Sequence, residues 1–169
     1  PEHGNAAQFL DFLVLELRPY LAQFFPMDVN RHTLFGFSYG GLFTLHTLSH
    51  TPQHFQRYWA ASPSLWFGQH FTMQGLEARL AKLKLGLAQP SVKVMITVGH
   101  EEQYPSKAND QTEKLKQRKM VENAANFALG LNQAQLVNWQ VEQRTLADHD
   151  HFDMLAHGSR RVLAFAFEP

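Results

Sequence analysis

At 169 residues with 44% hydrophobic content, the chain has the size of one domain and enough apolar side chains for a full core. Its 15 basic and 15 acidic residues cancel, so charge does not point to nucleic acid or another polyanion as a partner. It has no cysteine, which excludes disulfides, a thiolate nucleophile and cysteine metal sites, and it has no run of about 18 apolar residues to form a membrane-spanning helix.

Residues 6–25 carry Phe9, Leu10, Leu13, Leu17, Leu21, Phe24 and Phe25 at three- and four-residue spacing, which predicts one amphipathic helix. Pro19 lies inside that pattern and is expected to kink or split it. A turn over 26–30 leads to a strand over 31–37. A helix then runs to about Ser49 and ends at His50-Thr51-Pro52.

Between this strand and helix stands Gly36-Phe37-Ser38-Tyr39-Gly40-Gly41. Strand, tight turn and helix are the context in which G-x-S-x-G marks a nucleophile elbow. The sharp turn holds the serine in a strained conformation with its hydroxyl exposed. Gly36 and Gly40 are expected to be small because side chains there would collide across the turn. Ser38 would sit at a helix N-terminus, where free N–H groups favour developing negative charge. The N–H of Tyr39, the residue after the serine, is the expected oxyanion donor.

Residues 55–61 predict a second strand, with Tyr58-Trp59-Ala60-Ala61 as its buried part. Ser62-Pro63-Ser64-Leu65-Trp66-Phe67 follows at the carboxyl end of that strand, where ligands bind in open α/β sheets. Residues 69–88 read as a poorly defined helical stretch containing Gly75 and Gly86. The clearest strand, 92–98, runs into Gly99-His100-Glu101-Glu102-Gln103. A long helix over 109–131, a last strand over 136–141, a loop over 145–153 and a terminal helix over 154–167 complete the pattern. Strands alternating with helices imply an α/β fold of parallel strands with flanking helices. Without a repeat or linker, residues 1–169 read as one domain.

On an elbow of this kind the acid and then the histidine follow the serine, each at the carboxyl end of a strand. Two loops qualify. Residues 99–103 carry Glu101 and Glu102, and residues 145–153 carry His149 and His151. A histidine can take the hydroxyl proton near neutral pH, and a carboxylate holds its tautomer. His3, His32, His50, His54 and His70 attract no functional reading, and His46 and His157 read as packing or surface residues.

Several segments together are more specific than the elbow. They are Gly36 through Phe43, Ala61-Ser62-Pro63-Ser64-Leu65-Trp66, Val98-Gly99 with Glu102-Gln103, Lys119 through Ala124, and Asp150-His151. With them the chain resembles the esterase family of α/β-hydrolases, the group that includes enterobactin-type siderophore esterases and esterase-D-like enzymes. The resemblance implies a serine esterase with Ser38 as nucleophile, Glu102 as acid and His151 as base. His149 stands as a rival base, because this chain has His149-Asp150-His151-Phe152 where relatives often have E-D-H-G, and Glu101 stands as a rival to Glu102. Trp66, with Phe67 and Tyr104, is expected to line the substrate pocket. The partner implied is a small-molecule ester, possession of a cofactor is not implied, and the compartment is left open.

In that fold the nucleophile lies on the fifth strand, and a second oxyanion donor follows the third. Here only a helix precedes the serine strand. The expectation is therefore the carboxyl-terminal part of an α/β-hydrolase fold with its upstream strands missing. Another copy of the chain or an upstream piece would then lie alongside residues 31–37, and these residues alone would hydrolyse weakly. Two other readings compete. His149-x-His151-x-Asp153 matches the start of a metallo-hydrolase signature and would make a zinc site. An inactive hydrolase-like module is the other.

Overall fold

In the computed structural model, which describes residues 4–86 and 90–168, the apolar runs become four strands in one parallel sheet. In chain order the elements are α1 (Ala6–Asp11), a π-helical stretch (Phe12–Leu17), α2 (Arg18–Leu21), β1 (Thr33–Phe37), α3 (Tyr39–His50) and β2 (Arg57–Ala61). Then come α4 (Phe67–His70), α5 (Leu76–Lys84), β3 (Val92–Gly99), α6 (Thr112–Arg118), α7 (Met120–Gln133), β4 (Trp139–Leu146) and α8 (His151–Phe167). The strands lie side by side in the order β1-β2-β3-β4.

Alternation along each strand sorts side chains to two faces. Leu34, Tyr58, Ala60, Val94, Ile96 and Val98 join the main core with Leu45 and Leu48 of α3, Leu80 of α5 and Phe127 and Leu131 of α7. The intervening residues face α8. There Trp59 packs edge-on against Phe35 at 5.6 Å and Phe165 at 5.4 Å, and its indole N–H donates to Thr97 Oγ1 at 3.0 Å. Gly158 lets α8 press onto the sheet, since a Cβ there would lie 2.7 Å from the Phe35 ring.

Pro19 has the expected effect through an identifiable device. A proline ring clashes with the carbonyl four residues earlier. Just before it the helix widens, and Arg18 N–H bonds Leu13 O in the i→i−5 pattern of a π-helix. The N-terminal helices lean on α3 through Phe9 and Phe43, whose rings are 5.1 Å apart.

Several boundaries differ from expectation; the strands expected from 31 and 55 begin at Thr33 and Arg57, and the first helical stretch ends at Leu21 rather than 25. The helix expected over 109–131 is two helices, broken at Lys119 with φ 50°. The buried Gln103 side chain makes that break tolerable, because its Oε1 accepts the N–H groups of Val121 at 2.9 Å and Glu122 at 3.1 Å. The last strand begins at Trp139 rather than 136 and runs on to Leu146. Gln135 and Asn138 take left-handed conformations, which end any extended run there, and buried Leu136 packs in the turn. As an edge strand, β4 alternates half-buried and exposed residues, so Gln140, Glu142 and Arg144 belong to it. Of the 145–153 stretch only 147–150 is loop, because β4 runs to Leu146 and α8 starts at His151. The helix read over 69–88 is only Leu76–Lys84, and residues 87 and 88 lie outside the described residues.

Candidate active site

The turn from β1 into α3 is the single residue Ser38, at φ 58° and ψ −116°. A non-glycine residue at positive φ is strained, and it persists only where its surroundings hold it. Here Ser38 N–H donates to Ala61 O at 2.9 Å, and Ser38 O accepts from Leu42 N–H at 3.0 Å and Ser64 N–H at 3.1 Å. Gly36 is required as expected, since a Cβ would lie 2.0 Å from Gly40 O. Gly40 is not, because a Cβ there meets nothing within 4 Å. It is the carbonyl of Gly40, not its missing side chain, that fills the turn. The second crowded position is Gly41, whose Cβ would lie 2.9 Å from Ala61 O.

Ser38 Oγ lies 3.0 Å from His151 Nε2, and His151 Nδ1 lies 2.5 Å from Glu102 Oε2. Glu102 is 2% exposed, and its Oε1 accepts from Ser62 Oγ at 2.6 Å and Gly99 N–H at 2.8 Å. An ionised carboxylate can only accept, so Nδ1 of His151 carries the hydrogen and Nε2 is left to accept the Ser38 hydroxyl. Ser64 Oγ is 3.4 Å from Ser38 Oγ and, with the Ser38 hydrogen directed at the imidazole, supplies the donor there. Phe37 packs on the His151 ring at 4.6 Å.

Each partner is held by local chemistry. Gly99 brings the loops carrying Glu102 and His151 together, since a Cβ there would lie 2.2 Å from His149 O. Glu101 joins them through its backbone, its N–H donating to His149 O at 3.1 Å. Asp150 caps α8. Its Oδ1 accepts Phe152 N–H at 2.8 Å and Asp153 N–H at 2.9 Å, while Asp153 Oδ2 accepts Asp150 N–H at 3.0 Å.

The same cap separates the two histidines. An extended segment would set residues 149 and 151 on one face. With the helix opening between them, His151 faces Ser38, and His149 Nδ1 bonds Ala147 O at 2.7 Å. His149 lines a shallow cleft with His157, Arg160 and Arg161 instead. Burial lowers the pKa of His157 there, and the charges of Arg161, His149 and Arg144 lower it further. His149, His151 and Asp153 do not converge, and among the described residues no group of three or more potential ligands is placed to hold a metal.

Tyr39 begins α3, with its exposed ring 6.2 Å from Trp66 and 5.2 Å from Phe67. The guanidinium of Arg118 lies over Trp66, 4.5 Å from the ring centre. Tyr104 stands apart, bonded to Gln103 and Glu122. Sequence reasoning missed Ser62, Ser64 and Arg118. A signal for the first two lay in Ser62-Pro63-Ser64, already noted at a ligand-binding strand end.

A serine elbow with a hydrogen-bonded histidine and carboxylate at the carboxyl ends of parallel strands defines the α/β-hydrolase class. The chain belongs to the esterase family whose model, described as "Putative esterase", matches residues 1–151. It is 34% identical over 119 residues to the ferri-bacillibactin esterase BesA of Bacillus subtilis, covering 70% of this chain and 40% of that protein. It is 36% identical over 110 residues to the siderophore triacetylfusarinine C esterase of Aspergillus fumigatus, covering 64% of this chain and 37% of that protein. Among solved structures it matches the siderophore hydrolase EstA from Aspergillus nidulans with a TM-score of 0.84 at 29% identity, over 98% of this chain and 58% of that one. The chain thus spans 40% or less of the length of these two curated relatives.

Proposed function

We propose that the chain carries the serine-hydrolase centre of an esterase acting on small-molecule carboxylic esters, with Ser38 as nucleophile, His151 as base and Glu102 as acid. The observation that carries this reading is the unbroken hydrogen-bonded line from Glu102 through His151 to Ser38. Ser38 Oγ attacks the ester carbonyl as His151 Nε2 takes its proton. Charge on the carbonyl oxygen is met by the N–H of Tyr39 at the head of α3. The proton passes to the departing alcohol, leaving an acyl-serine, and water activated by the same imidazole releases the acid. Glu102 stabilises the imidazolium and keeps Nδ1 protonated. Trp66 and Tyr39 form one wall for the substrate, and the siderophore esters named for the relatives are the substrate class this reading favours.

A β-strand, from another copy or from a separate segment, is the proposed companion of β1. Among the described residues β1 pairs on one side only. The test is a fluorophosphonate probe together with turnover of a p-nitrophenyl ester. Both are expected for the wild type and lost in Ser38→Ala; turnover that survives the substitution removes the reading. Turnover by these 169 residues is expected to trail that of a protein containing the companion strand, and equal rates would remove the companion.

A further inference from the structure

We infer that Ser62 is a positioning residue for the acid of this relay, an assignment that rests on the serine-hydrolase reading above. Ser62 follows β2, whereas the nucleophile follows β1, the acid follows β3 and the base opens α8. It is fully buried, and its hydroxyl lies 2.6 Å from Glu102 Oε1. Because the ionised carboxylate cannot donate, the Ser62 hydroxyl does.

The geometry explains what this bond adds. A carboxylate turns about the bond to its chain. Gly99 N–H alone, at 2.8 Å, would hold one edge of it without fixing its plane. The second donor on Oε1 fixes that plane and aims Oε2 at His151 Nδ1. The backbone is shaped for the task. Ser62 sits at φ 46°, a strained conformation for a residue with a Cβ, and its N–H donates to Thr97 O at 2.7 Å, which ties the turn to β3. The same turn reaches the nucleophile two residues later, through Ser64. One short segment thus holds both ends of the relay. The Ser62 hydroxyl bonds Glu102, and Glu102 in turn bonds the imidazole of His151, so Ser62 acts through Glu102.

The test is the rate of fluorophosphonate labelling by the full chain, resolved into a binding constant and a rate of phosphonylation. Ser62→Ala is expected to slow phosphonylation about ten- to a hundredfold, as for a lost hydrogen bond to a charged group. Binding should change by less than about twofold. Ser62→Gly, which relieves the positive φ and keeps the fold, should behave alike. In a Glu102→Ala background, Ser62→Ala should cost almost nothing further, because its partner is gone. Equal costs in both backgrounds would mean a merely structural residue and would overturn the inference. Wild-type labelling by both Ser62 variants, with Ser38→Ala silent, would overturn it while leaving the nucleophile in place. Labelling that survives Ser38→Ala would remove the nucleophile and this inference together.

Discussion

The glycines around Ser38 separate two kinds of smallness. Gly36 has no room for a methyl group, since its Cβ would lie 2.0 Å from a backbone carbonyl that cannot move without unwinding the start of α3. Gly36→Ala is therefore expected to destabilise the protein by about 3 kcal/mol or more, in the range of overpacked cores. Gly40 faces open space inside a helix, where alanine is the better helix former. Gly40→Ala should be neutral or stabilising by up to about 1 kcal/mol. Urea unfolding of the two variants checks both expectations, and a Gly40→Ala variant as damaged as Gly36→Ala would contradict this account of the elbow. The motif was legible as a string, but which of its glycines the turn needs was not. That depends on where the Gly40 carbonyl points.

At the level of elements, α8 is a device for presenting His151. Its first helical residue is the histidine, so the capping residue one position earlier sets the direction of the imidazole. Asp150→Ala removes the acceptor for two N–H groups and is expected to cost about 1 kcal/mol of stability and to slow Ser38 labelling. Asp150→Ser, which also caps, should restore most of both; unchanged labelling in Asp150→Ala would separate the cap from the base. The elements lost in the sequence reading share this character. Strands β1, β2 and β3 and helix α3 are specified by apolar runs, and those runs were visible. The order of Ser38, Glu102 and His151 was visible too. The break at Lys119 and the start of α8 are decided by the side chains of Gln103 and Asp150 taking over backbone donors. Hydrophobic periodicity carries no trace of such bonds. Strand β4 was misplaced because an edge strand is half polar, and the role of Ser62 stayed hidden because its partner, Glu102, lies 40 residues further along the chain.

For the whole molecule, the histidines make stability depend on pH. Burial, followed by the charges of His50 and Arg79, pulls His46 down to about 4. His32, His54 and His157 are lowered as well, burial being the first cause in each. Between about pH 4 and the ordinary histidine value of 6.5, the folded chain holds His46 neutral while the unfolded chain takes up a proton. The unfolded state then binds more protons, so stability rises with pH across this window. It is fully present above the window and is lost as the pH falls through it. Because the His46 ring is only half-buried, solvent screening keeps the effect below what the shift alone would give. His46→Gln should flatten part of the slope in urea midpoints measured between pH 4.5 and 7; an unaltered slope would show that His46 is not among its sources.

The three members of the relay ride on three separate supports. Ser38 stands at the tip of β1, Glu102 beyond the tip of β3, and His151 on the first turn of a helix lying across the sheet. Movement of β1 relative to α8 therefore changes the distance from Ser38 to His151 directly. The support carrying the serine is also one of the two strands, with β4, that have a neighbour on one side only among the described residues. In mild urea that strand is expected to loosen before the centre of the sheet, since local openings need less free energy than global unfolding. Ser38 labelling should then fade at lower urea than the far-ultraviolet circular dichroism, and a companion strand beside β1 should bring the two midpoints together. Coincident midpoints without any companion would mean that the edge strand is as firmly held as the centre of the sheet.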